Sequence, residues 1–374
     1  MTERERFLET LLFGKPDRIP FQPGGPREST LAAWHGQGLP ADVNWFDFLL
    51  ETVGIERPPA AGGAQPGVNF RMIPEFEEKI IERRERTLVV QDWKGNVCEI
   101  SDKFDTRHLR NAIDFVTRTW IRCPVDGRED FERMKARYRV DEPARFAEGF
   151  AEKCAAIRQR EHVVQIGFAG PFWQLREWCG FEGLCTLFLD DPQLVRDMVD
   201  FWRDFVSGVL ATALRHVVPD VVHFSEDMAY KQKSMISPAM CREFLLPCWR
   251  QWCDQLRSAG VAVLDMDSDG YIGELIPLWI EAGMNVCDPI EVAAGNDIMS
   301  FRRQFGRSMA FRQGIDKRAI ARGGRAMRAE LERVGPVVAD GGYIPGCDHG
   351  VPPDISWPGF VDYARVLARL TGWL

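Results

Sequence analysis

The sequence predicts an α/β protein built as a (β/α)8 barrel, and three observations carry that prediction. From about residue 145 onward, short apolar runs alternate with longer amphipathic stretches, the rhythm of a parallel sheet covered by helices. Runs at 163–168, 221–224, 261–266, 284–288, 308–313 and 342–346, with earlier extended segments at 18–22 and 68–74, supply about eight strands. Polar and ionisable residues gather just beyond these runs, where barrels of this kind carry their chemistry. An open doubly wound sheet is the alternative, but no glycine-rich phosphate loop follows an early strand.

The elements follow in order. Residues 1–20 read as an amphipathic helix, an N-terminal extension that leads into the first strand, and 22–27 as a loop. The stretch 56–68 is rich in Pro, Gly and Ala and reads as a mobile insertion. Residues 85–101 alternate apolar and polar positions around Lys94-Gly95-Asn96, the pattern of an inserted β-hairpin. Asp191-Pro192 and Ser237-Pro238 each place a capping side chain before a proline in the first helical position, so a helix opens at both. The whole chain, 1–374, is expected to form a single domain.

Composition narrows the function. A net charge of -8 argues against nucleic-acid and anionic-membrane partners. The charged start lacks the apolar core of a signal peptide, and no stretch approaches the length of a membrane span. The 10 cysteines show no paired CxxC spacing and sit mostly in apolar segments, as expected of reduced thiols in a cytoplasmic protein. A small-molecule substrate is expected; the pattern does not specify an oligomeric state.

The strand ends supply the candidate chemistry. Asp265, Asp267 and Asp269 alternate at the tip of an apolar run, and alternate residues of an extended chain point the same way. Carboxylates gathered there need a metal, a cationic group or a substrate. Neighbouring ends bring Glu226 and Asp227, Asp288 and Glu291, Arg312 and Gln313, and finally Cys347, Asp348 and His349. Arg312 suits a substrate carboxylate or one of the acids, and His349 a proton donor near neutral pH. Phe168, Phe172 and Trp173 would wall an apolar pocket for a flat substrate or a corrin face. His223, inside an apolar run, reads as a satisfied core histidine.

Four motifs in order resemble the uroporphyrinogen decarboxylase superfamily, a (β/α)8 barrel family. They are the opening from Arg4 to Pro20, the helix start Ile236-Ser237-Pro238, the segment from Leu275 to Gly283, and Gly342 to Pro353 with its Gly346-Cys347-Asp348 core. The decarboxylases grip substrate carboxylates with an Arg-Gln-Ala-Gly-Arg motif after the first strand. Here Gln22-Pro23-Gly24-Gly25-Pro26-Arg27 offers one arginine. The chain more closely resembles the cobalamin-dependent methyltransferase and O-demethylase branch, which binds zinc through His-x-Cys and a final cysteine. Those positions fall on Asp267-Ser268-Asp269 and Cys347. The resemblance thus implies zinc on Asp267, Asp269 and Cys347, with Glu226, His349 and Arg312 catalytic and Phe168, Phe172 and Trp173 facing the corrinoid. It implies methyl transfer between a small substrate, such as a methoxylated aromatic, and cobalamin, either free or on a partner corrinoid protein. The rivals are a metal-independent carboxy-lyase using Arg27 and Arg312, and a non-catalytic binding barrel.

Overall fold

The computed structural model describes residues 1–56, 63–111, 114 and 116–374. Two sheets organise the chain. The first is antiparallel, in the order β1 (Lys79–Arg83), β2 (Thr87–Gln91), β3 (Val97–Ser101) and β4 (Thr119–Arg122). Its centre is the expected hairpin: Thr87 pairs with Ser101 and Gln91 with Val97 across the turn at Lys94-Gly95. The flanking strands β1 and β4 are additions that the sequence pattern did not announce.

The second sheet is parallel and has six strands side by side in chain order: β5 (Gln165–Ala169), β6 (Val221–Ser225), β7 (Val263–Asp267), β8 (Val286–Asp288), β9 (Ala310–Arg312) and β10 (Tyr343–Ile344). These match the six later runs. The two expected early strands do not join the sheet, and eight-stranded closure is not seen among the described residues. Pro20 removes a donor from within the first of these segments and Pro23 and Pro26 two more from the chain just after it, so it cannot sustain a ladder. It runs beside the end of β10 instead, held by Cys347 N–H to Pro23 O (3.1 Å) and Val351 N–H to Gly25 O (2.9 Å). In the second, Val68 makes only an isolated antiparallel bridge to Phe146. The exposed edge of β5 is met by a side chain: Gln65 Oε1 accepts from Gln165 N–H at 2.9 Å and Nε2 donates to Val163 O at 3.1 Å. Residues 57–62 of the expected insertion lie outside the described residues.

Register sorts the strand residues into two faces. Val222, Phe224, Leu264, Met266, Cys287 and Phe311 face outward into the large core shared with the surrounding helices. On the inner face, Val221, Val263, Val286, Ala310 and Ile344 form an apolar floor that packs against Phe7 and Leu11 of the helix Glu3–Leu11. Thr2 and Glu5 cap that helix reciprocally. The floor closes the amino end of the sheet and leaves the carboxyl end as the side on which polar groups can gather.

A candidate active site on the inner face of the sheet

One step above the apolar floor, the inner-face positions turn charged. His223 pairs in register with Asp265, and Asp267 with Asp288. Two residues up from Ala310 on β9 comes Arg312. The sequence places these groups by strand parity alone, since residues two apart share a face.

Their contacts are close. Arg312 Nη1 donates to Asp265 Oδ2 at 2.6 Å and lies 3.4 Å from Asp288 Oδ2. His223 Nδ1 lies 3.4 Å from Asp265 Oδ2, and its Nε2 lies 3.6 Å from Asp267 Oδ2. Burial alone would raise the Asp265 carboxyl, yet Arg312 and His223 hold it down to about 2. Asp288 lacks so close a cation, and burial pushes it up to about 7 with the Asp265 charge adding. Burial opposes protonation of His223, but the Asp265 and Asp267 carboxylates outweigh it and raise the imidazole well above its ordinary value. Asp265 Oδ1 and Asp288 Oδ1 are buried without a hydrogen-bond partner among the described residues. A buried acceptor left unpaired is costly, which makes this layer a candidate site for a further group.

A second polar chain lies on the rim. His349 Nε2 sits 3.1 Å from Asp269 Oδ2, and Arg27 Nη2 donates to His349 Nδ1 at 3.0 Å. Because Arg27 can only donate, the ring accepts at Nδ1 and carries its proton at Nε2, facing Asp269. Asp269 raises the His349 pKa, against burial and the nearby Lys317 and Arg27 charges. His349 and Gln313 border a cavity of about 490 Å³ with Trp45 and Phe46. A second cavity, about 570 Å³, opens onto inner-face Gly167 and Ser225 and is walled by Phe70, Trp93, Trp173 and Lys94. The hairpin turn therefore forms one wall of this cavity, and Lys94 is fixed there by Glu177 at 2.5 Å.

The expected residues divide accordingly. Arg312 reaches the inner face, where it pins Asp265. His349 reaches the rim. Glu226 does not line the site: residues 222, 224 and 226 share the outer parity, and its carboxylate is fully buried. There it accepts from Trp173 N–H (2.9 Å) and Trp249 Nε1–H (2.6 Å). Phe172 is likewise buried in the core; Phe168 packs on Phe224 and Trp252 and also borders the 570 Å³ cavity together with Trp173.

The implied zinc set is not assembled. Asp267 stays on the inner face, Asp269 turns to His349, and Cys347 is fully buried under the loop at Gly24, where a Cβ would lie 2.8 Å from its own. Burial pushes the Cys347 thiol up to about 12. The structure gathers His223, Asp267 and Asp288 instead, with ligand atoms all within 4.8 Å of one another, the single such trio among the described residues. His223 is thus no satisfied core histidine. Its alternation with Val221 and Ser225 was the signal that placed it on the inner face.

No family model matches this sequence, and no curated protein matches it. Among solved structures, a methyltransferase from Methanosarcina mazei superposes with a TM-score of 0.58 at 13% identity, covering 100% of this chain and 98% of that one. A B12-independent methionine synthase from Shewanella sp. W3-18-1 matches more weakly, with a TM-score of 0.39 at 12% identity over 82% of this chain and 75% of that one. The first likeness shows a fold shared from end to end. The second carries no further argument.

Proposed function

We propose that this chain is a methyltransferase that binds a small substrate on the inner face of the parallel sheet. A corrinoid, free or on a carrier protein, would be the other methyl carrier, as the sequence resemblance implies. The observation that supports this reading best is the charged layer of His223, Asp265, Asp267, Asp288 and Arg312 over an apolar floor. Asp267, Asp288 and Arg312 end their strands, with His223 and Asp265 one step below, toward the functional end of such folds, in a chain that shares its fold with a methyltransferase.

The residues divide the work. Trp173, Trp93 and Phe70 offer apolar surface to a flat substrate, and Lys94 sits at the edge of the same cavity. The charged layer is preorganised: Arg312 fixes Asp265, and Asp265 in turn faces His223, so little rearrangement accompanies charge development at a substrate heteroatom. A corrinoid, when bound, supplies the nucleophile that takes a methyl group from an ether, thioether or amine. The heteroatom keeps the bonding pair and needs a proton, and His349, oriented by Asp269 and Arg27, is the rim group equipped to move one.

The lyase reading needs cations for substrate carboxylates. Its two arginines are already engaged, Arg312 with Asp265 and Arg27 with His349. Incubation with cob(I)alamin and panels of methyl ethers, thioethers and methylamines, followed by methylcobalamin absorbance, tests the proposal. Protein-dependent methylation of the corrinoid is expected, reduced roughly 100-fold in Asp267→Asn, the loss typical of removing one preorganised electrostatic group. Carbon dioxide release without corrinoid, or transfer indifferent to Asp267→Asn, would contradict it.

A further inference from the structure

We infer that His223, Asp267 and Asp288 form a thiolate-free site for one divalent transition-metal ion, such as zinc or manganese. The site is displaced from the Asp267, Asp269 and Cys347 set that the sequence resemblance implies. The inference deepens the functional reading above, because it concerns the same inner face, but it stands on separate geometry.

Three adjacent strands each contribute one donor: Asp267 from β7 and Asp288 from β8 stand in register, and His223 from β6 lies one inner-face step below them, level with Asp265. Their ligand atoms lie within 4.8 Å of one another, so a small inward shift of the side chains brings them to the roughly 3.4 Å separation of donors held about 2.0–2.2 Å from a tetrahedral ion. Asp288 is 5% exposed, and its Oδ1 has no hydrogen-bond partner among the described residues. An unpaired carboxylate oxygen in that setting calls for a cation. Arg312 does not serve that oxygen, because its contact to Asp288 is at Oδ2, 3.4 Å away, while its short bond goes to Asp265.

The surroundings of the histidine carry the argument further. A metal-binding histidine ordinarily turns its second nitrogen to a carboxylate, which fixes the tautomer and raises ligand basicity. Here His223 presents Nδ1 to Asp265 at 3.4 Å, leaving Nε2 on the side of Asp267. Asp265 is itself anchored by Arg312 at 2.6 Å. Asp265 and Arg312 are therefore positioning residues behind the ligands. One imidazole and two carboxylates, with no sulfur, suit a borderline divalent ion, whereas all-oxygen sites suit magnesium or calcium. Three protein donors also leave an open position for a substrate heteroatom, the arrangement of catalytic rather than structural metal sites.

The test uses full-length protein, stripped with a chelator and shown by circular dichroism to remain folded. It is titrated calorimetrically with zinc and, separately, loaded with cobalt(II) as a spectroscopic probe. Wild type is expected to bind about one equivalent, with cobalt ligand-field bands but no thiolate-to-cobalt charge-transfer band. Asp288→Asn, which preserves volume, and His223→Ala should abolish binding at concentrations that saturate wild type. Asp265→Asn should weaken it by about 10–100-fold, the usual cost of losing an outer carboxylate. Cys347→Ser and Asp269→Asn should bind as wild type does. A charge-transfer band, loss of binding in Cys347→Ser, or no binding by folded wild type would overturn the site. Ion binding by a protein that transfers no methyl group would support the site while removing the functional reading.

Discussion

Gly170 is the residue that sets Glu226 in its place. It caps the helix Pro171–Cys179, and a Cβ there would lie 2.2 Å from Glu226 Cδ. Gly170→Ala must push the carboxylate away from Trp173 N–H and Trp249 Nε1–H, so overpacking should cost about 1–3 kcal/mol. A urea midpoint measures it, and an unchanged midpoint would show that Glu226 moves freely. The same residue shows how parity limits sequence reading. Glu226 follows β6 and reads as a rim acid, but it shares its parity with Phe224 and points to the helices. His223, on the other parity, reads as core because its neighbours are apolar, yet it faces three carboxylates. Asp267 and Asp288 were legible as strand-end acids. That Cys347 is sealed beneath Gly24 follows from a loop path that no local pattern reveals.

At the scale of elements, the helix Glu3–Leu11 does more than extend the chain: it floors the site through Phe7 and Leu11. Its anchor is Arg6, which donates to both oxygens of Asp17 at 2.8 and 2.9 Å. That pairing lowers the Asp17 carboxyl from 3.8 to about 2. A carboxylate held down in the fold stabilises it above its unfolded value and loses that contribution as pH falls through the folded one. Unfolding midpoints should therefore drop between pH 4 and pH 2 in wild type, and less so in Asp17→Asn. The pair is partly exposed, so its worth is on the order of 1 kcal/mol. Equal pH dependence in the two proteins would remove Asp17 as the anchor. The helix itself was readable from its amphipathic pattern, as were the hairpin and the capped helix starts at Asp191 and Ser237. The first strand was not realised because prolines that look like loop punctuation also strip a neighbouring strand of its donors.

For the molecule as a whole, the alternation of apolar runs and helices was enough to place six parallel strands in order. Periodicity reports which segments are extended. It does not report whether the two outer edges meet, and here the edge of β5 is met by Gln65 and that of β10 by the loop at Pro23. The charged layer lies between those edges, on β6 to β9, where strand register alone holds it. The central claim is that this layer, and not the pattern Asp267, Asp269 and Cys347, is the working centre. The most direct measurement is a crystal structure of the zinc-treated protein with anomalous data collected at the zinc edge. The account predicts one peak bounded by His223 Nε2 and the carboxylates of Asp267 and Asp288. A peak at Cys347 or Asp269, or none on the inner face at saturating zinc, would contradict it.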